Sequence, residues 1–459
     1  MITPINMLRG QAAVLFATAS LAGVVSLAQS ASGADVLTVG EIHANGLLAL
    51  TPQDRITGLD IAAQDTTIYF AATVTTAVTH KTELWYWRQS FPGLVSSAPV
   101  RLAGDYCDAP RIAVGGGVIQ VAYSSGTALC LVRSKDDGLH WEDRILANNP
   151  PGRVRAASWI HATADSMAIA YTLTGFKMPR MAADSIQFMN SGIYLYTESR
   201  RSEGLTTQIL SVPWAGYGEG EPGVQHLADG GWILWVNLDE SIQPRAELLG
   251  MPPYTAMSFL YRIRGAVDGN RYAGRCQFRS PHPMTVIAKV IPVPVGTCTG
   301  LLLQSDRLYC TTGDSLSSGS SLVAVDSTVV CDVGRMLGST IAVGGLGRQT
   351  AAVWVDCRDR VDPLAHAGMR TAVRGLLSGV EDWPNNDLYA AALRCSPGAG
   401  TELGPQCRIT SGIGLVRFVR AATLGDTCIV VWAGKSRVGE NEGSKGAADR
   451  VFLTSLTTP

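Results

Sequence analysis

The feature that most narrows the fold of this chain is a repeat. Two short apolar runs joined by a tight turn, then a variable stretch and further apolar runs, recur at residues 59–74, 110–126, 159–175, 224–240, 299–315, 340–360 and 416–434. Each unit reads strand, turn, strand, loop, strand, turn, strand, and no such unit can bury its faces alone. Divided over residues 35–459, seven units average about 61 residues, the usual length of a four-stranded blade. The 49 glycines and many β-branched residues suit turns and strands, and no helical period runs through the repeats. The expectation is an all-β chain, a β-propeller of four-stranded blades forming a single domain over 35–459. Two packed sandwiches would be the other all-β solution, but no linker or change of composition separates them. The last unit ends at its third strand, Arg450 to Leu456, while Val36 to Ile42 has no partner of its own. Adding that first strand to the last blade would close the ring and cover an open edge.

Residues 1–34 read as a signal peptide. Arg9 precedes the apolar run Gln11 to Ala28, and small residues at Ser26 to Ala28 and Ser32 to Ala34 offer two cleavage sites. An uncleaved anchor is the alternative. No later stretch is long and apolar enough to span a bilayer as a helix. The expected location is therefore exported, periplasmic or extracellular, with no integral span after cleavage. A net charge of −1 gives no electrostatic basis for binding nucleic acid or an acidic membrane surface. All ten cysteines fall after residue 34, and an even number in an exported chain favours disulfides. Cys395 and Cys407, flanking the turn SPGAGTELGPQ, are the best local pair. Neither a C-x-x-C pair nor an H-E-x-x-H occurs, so no metal and no cofactor are expected.

Inside the second unit, Ser134, Asp136, Gly138 and Trp141 form the pattern S-x-D-x-G-x-x-W between two apolar runs. The hydroxyl and the carboxylate can satisfy turn backbone groups, Gly138 can take a positive φ, and Trp141 can cover the hairpin. This octet resembles the Asp box, or BNR repeat, of sialidase-like β-propellers, and it matches at every defining position. Asp268-Gly269 with Tyr272, and Ser315 to Leu322, keep its spacing in weaker form. The residues of the box are expected to shape a turn rather than to carry chemistry. The resemblance implies that box turns lie on the rim of the bottom face. The loops leading into each first strand, and those joining second to third strands, would gather at the top. The family is usually six-bladed, so a six-bladed ring is the alternative to the seven units counted.

What the resemblance implies for function is carbohydrate. Sialidases hold the substrate carboxylate with three arginines, whose planar guanidinium groups pair with it at two points. They use a tyrosine nucleophile activated by a glutamate, with an aspartate as general acid. Arg55 stands near the place of the family's first arginine, in Asp54-Arg55-Ile56-Thr57, which lacks the aromatic and the proline of that motif. The other candidates come from long loops at the same face. They are Tyr217 and Glu219 ahead of the fourth unit, Asp239 and Arg245 after its second strand, and Arg358 in the sixth unit. Asp356, Arg360 and Trp383 of that sixth loop are candidate binding and loop-anchoring residues. Three functions stay open. One is a carbohydrate-active propeller, an exo-glycosidase or a glycan binder, and the other is a non-catalytic envelope propeller that binds a protein partner. A polysaccharide lyase or another hydrolase is a third. Convergence of Arg55 with two further arginines and with Tyr217 or Tyr254 would favour catalysis.

Overall fold

The computed structural model describes residues 36–126, 128–148, 153–163, 165–174, 192–199, 202–211, 223–226, 232–238, 257–263, 275–279, 287–291, 298–304, 307–312, 322–326, 341–347, 349–356, 387–396, 400–410, 413–436 and 448–459. The segment 1–34, expected as a signal peptide, lies outside them. Every regular element among the described residues is a β-strand. The chain opens with β1 (Thr38–Val39) and β2 (His43–Asn45). The first sheet follows as β3 (Arg55–Gln64), β4 (Thr67–Thr75), β5 (Thr82–Ser90) and β6 (Val100–Ala103). The second is β7 (Cys107–Gly115), β8 (Val118–Ser125), β9 (Ala128–Ser134) and β10 (Glu142–Asn148). The third is β11 (Arg153–Ala162), β12 (Ser166–Thr174), β13 (Gly192–Ser199) and β14 (Ser202–Ser211). The fourth is β15 (Gly223–His226), β16 (Trp232–Leu238), β17 (Met257–Ile263) and β18 (Arg275–Arg279). The fifth is β19 (Ile287–Ile291), β20 (Cys298–Gln304), β21 (Arg307–Thr312) and β22 (Leu322–Asp326). The sixth holds β23 (Ile341–Leu346), β24 (Gln349–Asp356), β25 (Asp387–Ser396), β26 (Gly400–Leu403) and β27 (Cys407–Arg408). The last holds β28 (Ile413–Leu424), β29 (Thr427–Ser436) and β30 (Asp449–Thr457).

Each sheet is an antiparallel meander in chain order, and the described strands fall into seven of them. First strands of consecutive sheets lie side by side: β3 beside β7, β7 beside β11, β11 beside β15, β19 beside β23, and β23 beside β28. Strand β28 also lies beside β3, so the last sheet meets the first. This is a β-propeller. Its last sheet is completed from the chain start, because β1 and β2 pair with β30. That covers the outer edge β30 would otherwise expose.

The apolar core sits between neighbouring sheets. Strand β29 shows why its sequence is continuously apolar: Cys428, Val430 and Trp432 pack toward the sixth sheet, while Ile429, Val431 and Ala433 pack toward the first. Both faces are buried, so the alternation of a half-exposed strand disappears. Close approach of first strands also has a sequence cost. A Cβ on Gly115 at the end of β7 would stand 1.9 Å from the carbonyl oxygen of Ala162 in β11, so only glycine fits there.

Two expectations need correction. In the fifth sheet, the hairpin at 299–315 supplies the second and third strands; the first is β19, a five-residue run bracketed by prolines that is too short to register as a repeat. The Cys395–Cys407 pairing does not form. Both lie against β25 or within it, but Cys395 is opposite Thr401 while Cys407 is opposite Ala390. Five residues of extended strand, roughly 16 Å, separate those registers, far beyond disulfide reach. Cys407 is a free thiol, as are Cys107, Cys130 and Cys428. Burial pushes the Cys107 and Cys428 thiols up to about 12, so they act as small apolar side chains.

Candidate functional site

The meander gives the ring two unlike ends. Turns joining first to second and third to fourth strands lie at one end, the bottom. Connections joining second to third strands, and those leading into first strands, lie at the other, the top.

At the bottom, the box residues build a closed turn between β9 and β10. Ser134 Oγ donates to Asp136 Oδ1 at 2.8 Å and accepts from the Gly138 amide at 2.8 Å. Asp136 Oδ1 accepts the His140 amide at 2.9 Å, and its other oxygen meets His140 Nδ1 at 2.5 Å. The backbone amide and the ring of His140, then the Ser134 hydroxyl, hold this carboxyl down to about 2. Gly138 has φ +88°, and Trp141 Nε1 donates to its carbonyl at 3.0 Å. Trp141 does more than cover its own hairpin. Its ring meets Tyr86 of the first sheet edge-on at 4.8 Å, and Arg88 of that sheet pairs with Asp137. The box is thus a strut between the first and second sheets. Trp141→Ala is expected to cost about 1–3 kcal/mol, read as a lower denaturation midpoint, with any ligand affinity of the folded fraction nearly unchanged. Asp136→Ala should act in the same direction. Because the folded carboxyl is lowered, its contribution is whole above the ordinary value of 3.8 and is lost as pH falls through about 2. Lost binding without lost stability would show that the box touches ligand.

Toward the top, carboxylates tie consecutive sheets together. First strands break register near their starts, between Ile56 and Gly58 in β3 and between Asp108 and Arg111 in β7. Such bulges free backbone amides from the ladder. The Ile56 amide donates to Asp449 Oδ2 of β30 at 2.9 Å, and the Ile112 amide to Asp60 Oδ2 of β3 at 2.9 Å. Each carboxylate also takes an arginine of β28: Arg417 bonds Asp449, and Arg420 Nε donates to Asp60 Oδ1 at 2.9 Å. In the sixth sheet, Arg408 pairs with the buried Asp387, which also accepts from Thr410 at 3.1 Å. Ahead of β3, burial opposes ionisation of Asp54, but amides of Ala77 and Thr51 at 2.9 and 2.8 Å outweigh it and hold its carboxyl below the usual range.

Of the residues expected from sequence, Arg55 is half-buried at the first position of β3, opposite Thr75, at the top. Strand β24 ends at Asp356, whose backbone partner is Asp387 at the start of β25. Tyr217, Glu219, Asp239, Arg245, Tyr254, Arg358, Arg360 and Trp383 lie outside the described residues. The segments that carry them are nevertheless attached at the top: 212–222 leads into β15, 239–256 joins β16 to β17, and 357–386 joins β24 to β25. Sequence reasoning missed Asp60, Asp449, Arg417 and Arg420. For Asp60, Arg417 and Arg420 the signal was a charge set among apolar strand residues, as in LDIAA and VRFVRAA; Asp449 opens β30 beside Arg450 and gave no such signal. Among the described residues no His, Cys, Asp and Glu group could hold a metal, and no helix is long and apolar enough to cross a membrane.

No family model matches the chain, and no curated protein matches it. Solved structures do. One is a protein of unknown function from Dyadobacter fermentans, 10% identical, covering 92% of this chain and 99% of that one with a TM-score of 0.46. Another is the GH93 α-L-arabinofuranosidase of Fusarium graminearum in complex with arabinobiose, 10% identical over 89% of this chain and 93% of that one, TM-score 0.41. A third is Trypanosoma rangeli sialidase in complex with the inhibitor DANA, 11% identical over 78% of this chain and 56% of that one, TM-score 0.38. What makes this chain a propeller is its own ring of antiparallel sheets.

Proposed function

We propose that this is an exported propeller that recognises carbohydrate at its top face, with cleavage of a terminal glycosidic bond as its activity. The observation that carries the reading is the asymmetry of the ring. Arg55 and the attachment points of 212–222, 239–256 and 357–386 share one end, while the box turn occupies the other. Long connections on a rigid ring are where binding groups concentrate. Arg55, with Arg245 and Arg358 from the connections, would hold an anionic sugar; Tyr217, Glu219 and Asp239 would supply nucleophile, base and acid; Asp356, Arg360 and Trp383 would anchor and line the longest connection. The test is a panel of fluorogenic glycosides, sialosides and arabinofuranosides included, given to the purified protein, with binding of the same sugars measured in parallel. Arg55→Ala is expected to lower kcat/KM or affinity for the best anionic sugar by about tenfold or more, the loss of a charged two-point contact. A folded protein that neither cleaves nor binds any of the panel would sink the reading.

A second reading has its own support. Arg408, Arg417 and Arg420 are all committed to carboxylates of the scaffold, which suits a ring that presents a fixed face to a protein partner without catalysis. Binding of a protein from the same envelope, with glycoside turnover absent, would favour it.

A further inference from the structure

The connection from β6 into β7 is only Gly104, Asp105 and Tyr106, and it crosses the top of the ring. Tyr106 is 71% exposed. Among the residues whose side chains are described, it is the one exposed aromatic. Its backbone holds φ +66°, and Asp105 before it holds φ +69°. Aspartate visits this left-handed region at modest cost, but a bulky tyrosine does so only where its surroundings enforce it. Those surroundings are firm on both sides. Asp105 pairs with Lys81 of the β4–β5 connection at 2.6 Å. Cys107, the next residue, is buried in the core between the first two sheets. The Asp108 carboxylate accepts the Ala109 amide at 2.8 Å, and its carbonyl accepts the Ser124 hydroxyl at 3.2 Å. The ring is thus fixed at its base and open to solvent. An exposed ring returns little burial energy for so costly a backbone.

Strand register sets Tyr106 next to Arg55. A Cβ on Gly58 of β3 would stand 2.6 Å from Pro110 Cδ of β7, and Asp60 Oδ2 accepts the Ile112 amide at 2.9 Å. Both pairs lie 52 positions apart. Toward the top each strand carries one bulge, so the same offset sets Arg55 level with Cys107 and Tyr106 level with Asp54. Facing sheets stack roughly 10 Å apart, a gap that a sugar ring held between two long side chains spans. Lys81 is close as well: Asp105 first, and Tyr106 more weakly, raise its ammonium above the ordinary value. The phenol therefore lies on the side of the first sheet, where Arg55 is opposite Thr75 and Thr75 opposite Thr82. A flat ring flanked by a guanidinium and an ammonium matches a sugar that carries both a C–H face and a negative charge. The C–H face packs on the aromatic ring, and the guanidinium answers the charge at two points.

We propose that Tyr106 is a specificity-determining residue of the top face, a platform on which an acidic sugar stacks its C–H face while Arg55 holds its carboxylate. This use of Tyr106 rests on the glycan-binding function proposed above. The test labels the full chain with fluorotyrosine and assigns the Tyr106 ¹⁹F signal by Tyr106→Phe. N-acetylneuraminate and glucuronate are titrated in turn, with arabinose as the neutral control. The Tyr106 signal is expected to shift saturably with at least one of the two acids. An equal response to arabinose would overturn the acidic class. Calorimetric affinity for the better acid should fall about fivefold in Tyr106→Gly, which loses the stacked face, and change less than about twofold in Tyr106→Phe, which keeps it. The denaturation midpoint of Tyr106→Gly should not fall, because glycine takes φ +66° freely. A ring kept for packing would lower that midpoint and overturn the assignment. Arg55→Ala separates this inference from the function it rests on. If Arg55→Ala loses affinity and Tyr106→Gly keeps it, the platform fails and glycan binding at the top stands. If none of the sugars shifts the signal or binds, both fail.

Discussion

Asp449→Ala is expected to lower the unfolding free energy by about 3–5 kcal/mol, the cost of stranding a buried charge. Asp449 is 1% exposed, and its Oδ2 serves two partners at once, the Arg417 guanidinium and the Ile56 amide. Those partners belong to the last and first sheets, so this carboxylate latches the ring where it closes. Without it, Arg417 keeps its charge in a site with 10% side-chain exposure, and the Ile56 amide, freed by the bulge, loses its acceptor. Asp449→Asn should fall between the two, since the amide oxygen can still serve Ile56 while the charge is gone. Urea denaturation followed by intrinsic fluorescence reads both variants. An alanine variant within about 1 kcal/mol of the parent chain would mean that the seam is held by packing and by the β1–β30 pairing, not by this latch.

Trp432→Ala is expected to cost about 3–5 kcal/mol as well, by a different route. Trp432 lies in the middle of β29, is 0% exposed, and stacks on Phe452 of β30 with ring centroids 5.7 Å apart. It belongs to the apolar cluster between the sixth and seventh sheets. Truncation removes a large buried surface and leaves a cavity that two paired strands on either side cannot collapse to fill. Trp432→Phe should cost clearly less. Trp432 is opposite Phe452, three residues along β30 from Asp449, or about 10 Å of strand. The double variant should therefore show nearly the sum of the two losses, within about 0.5 kcal/mol. A double variant much less destabilised than that sum would show that latch and core act as one unit.

The strands, their grouping into sheets and the turn at Ser134 to Trp141 were legible because each rests on local chemistry. Apolar runs, turn glycines and the spacing of Ser134, Asp136, Gly138 and Trp141 act over a few residues, and the completion of the last sheet from the chain start followed from counting strands. The fifth sheet was misread for the same reason: β19 is too short to carry a period. What the sequence alone could not decide involves residues far apart in the chain. Asp60 meets Arg420 across 360 positions, and Asp449 meets the Ile56 amide across 393. A lone charge in an apolar strand signals that a partner exists but not which one. Cys395 and Cys407 looked paired because they are near in sequence, and strand register set them apart. Register also brought Tyr106 level with the start of β3 and Arg55, because facing sheets are fixed only when the whole ring is packed.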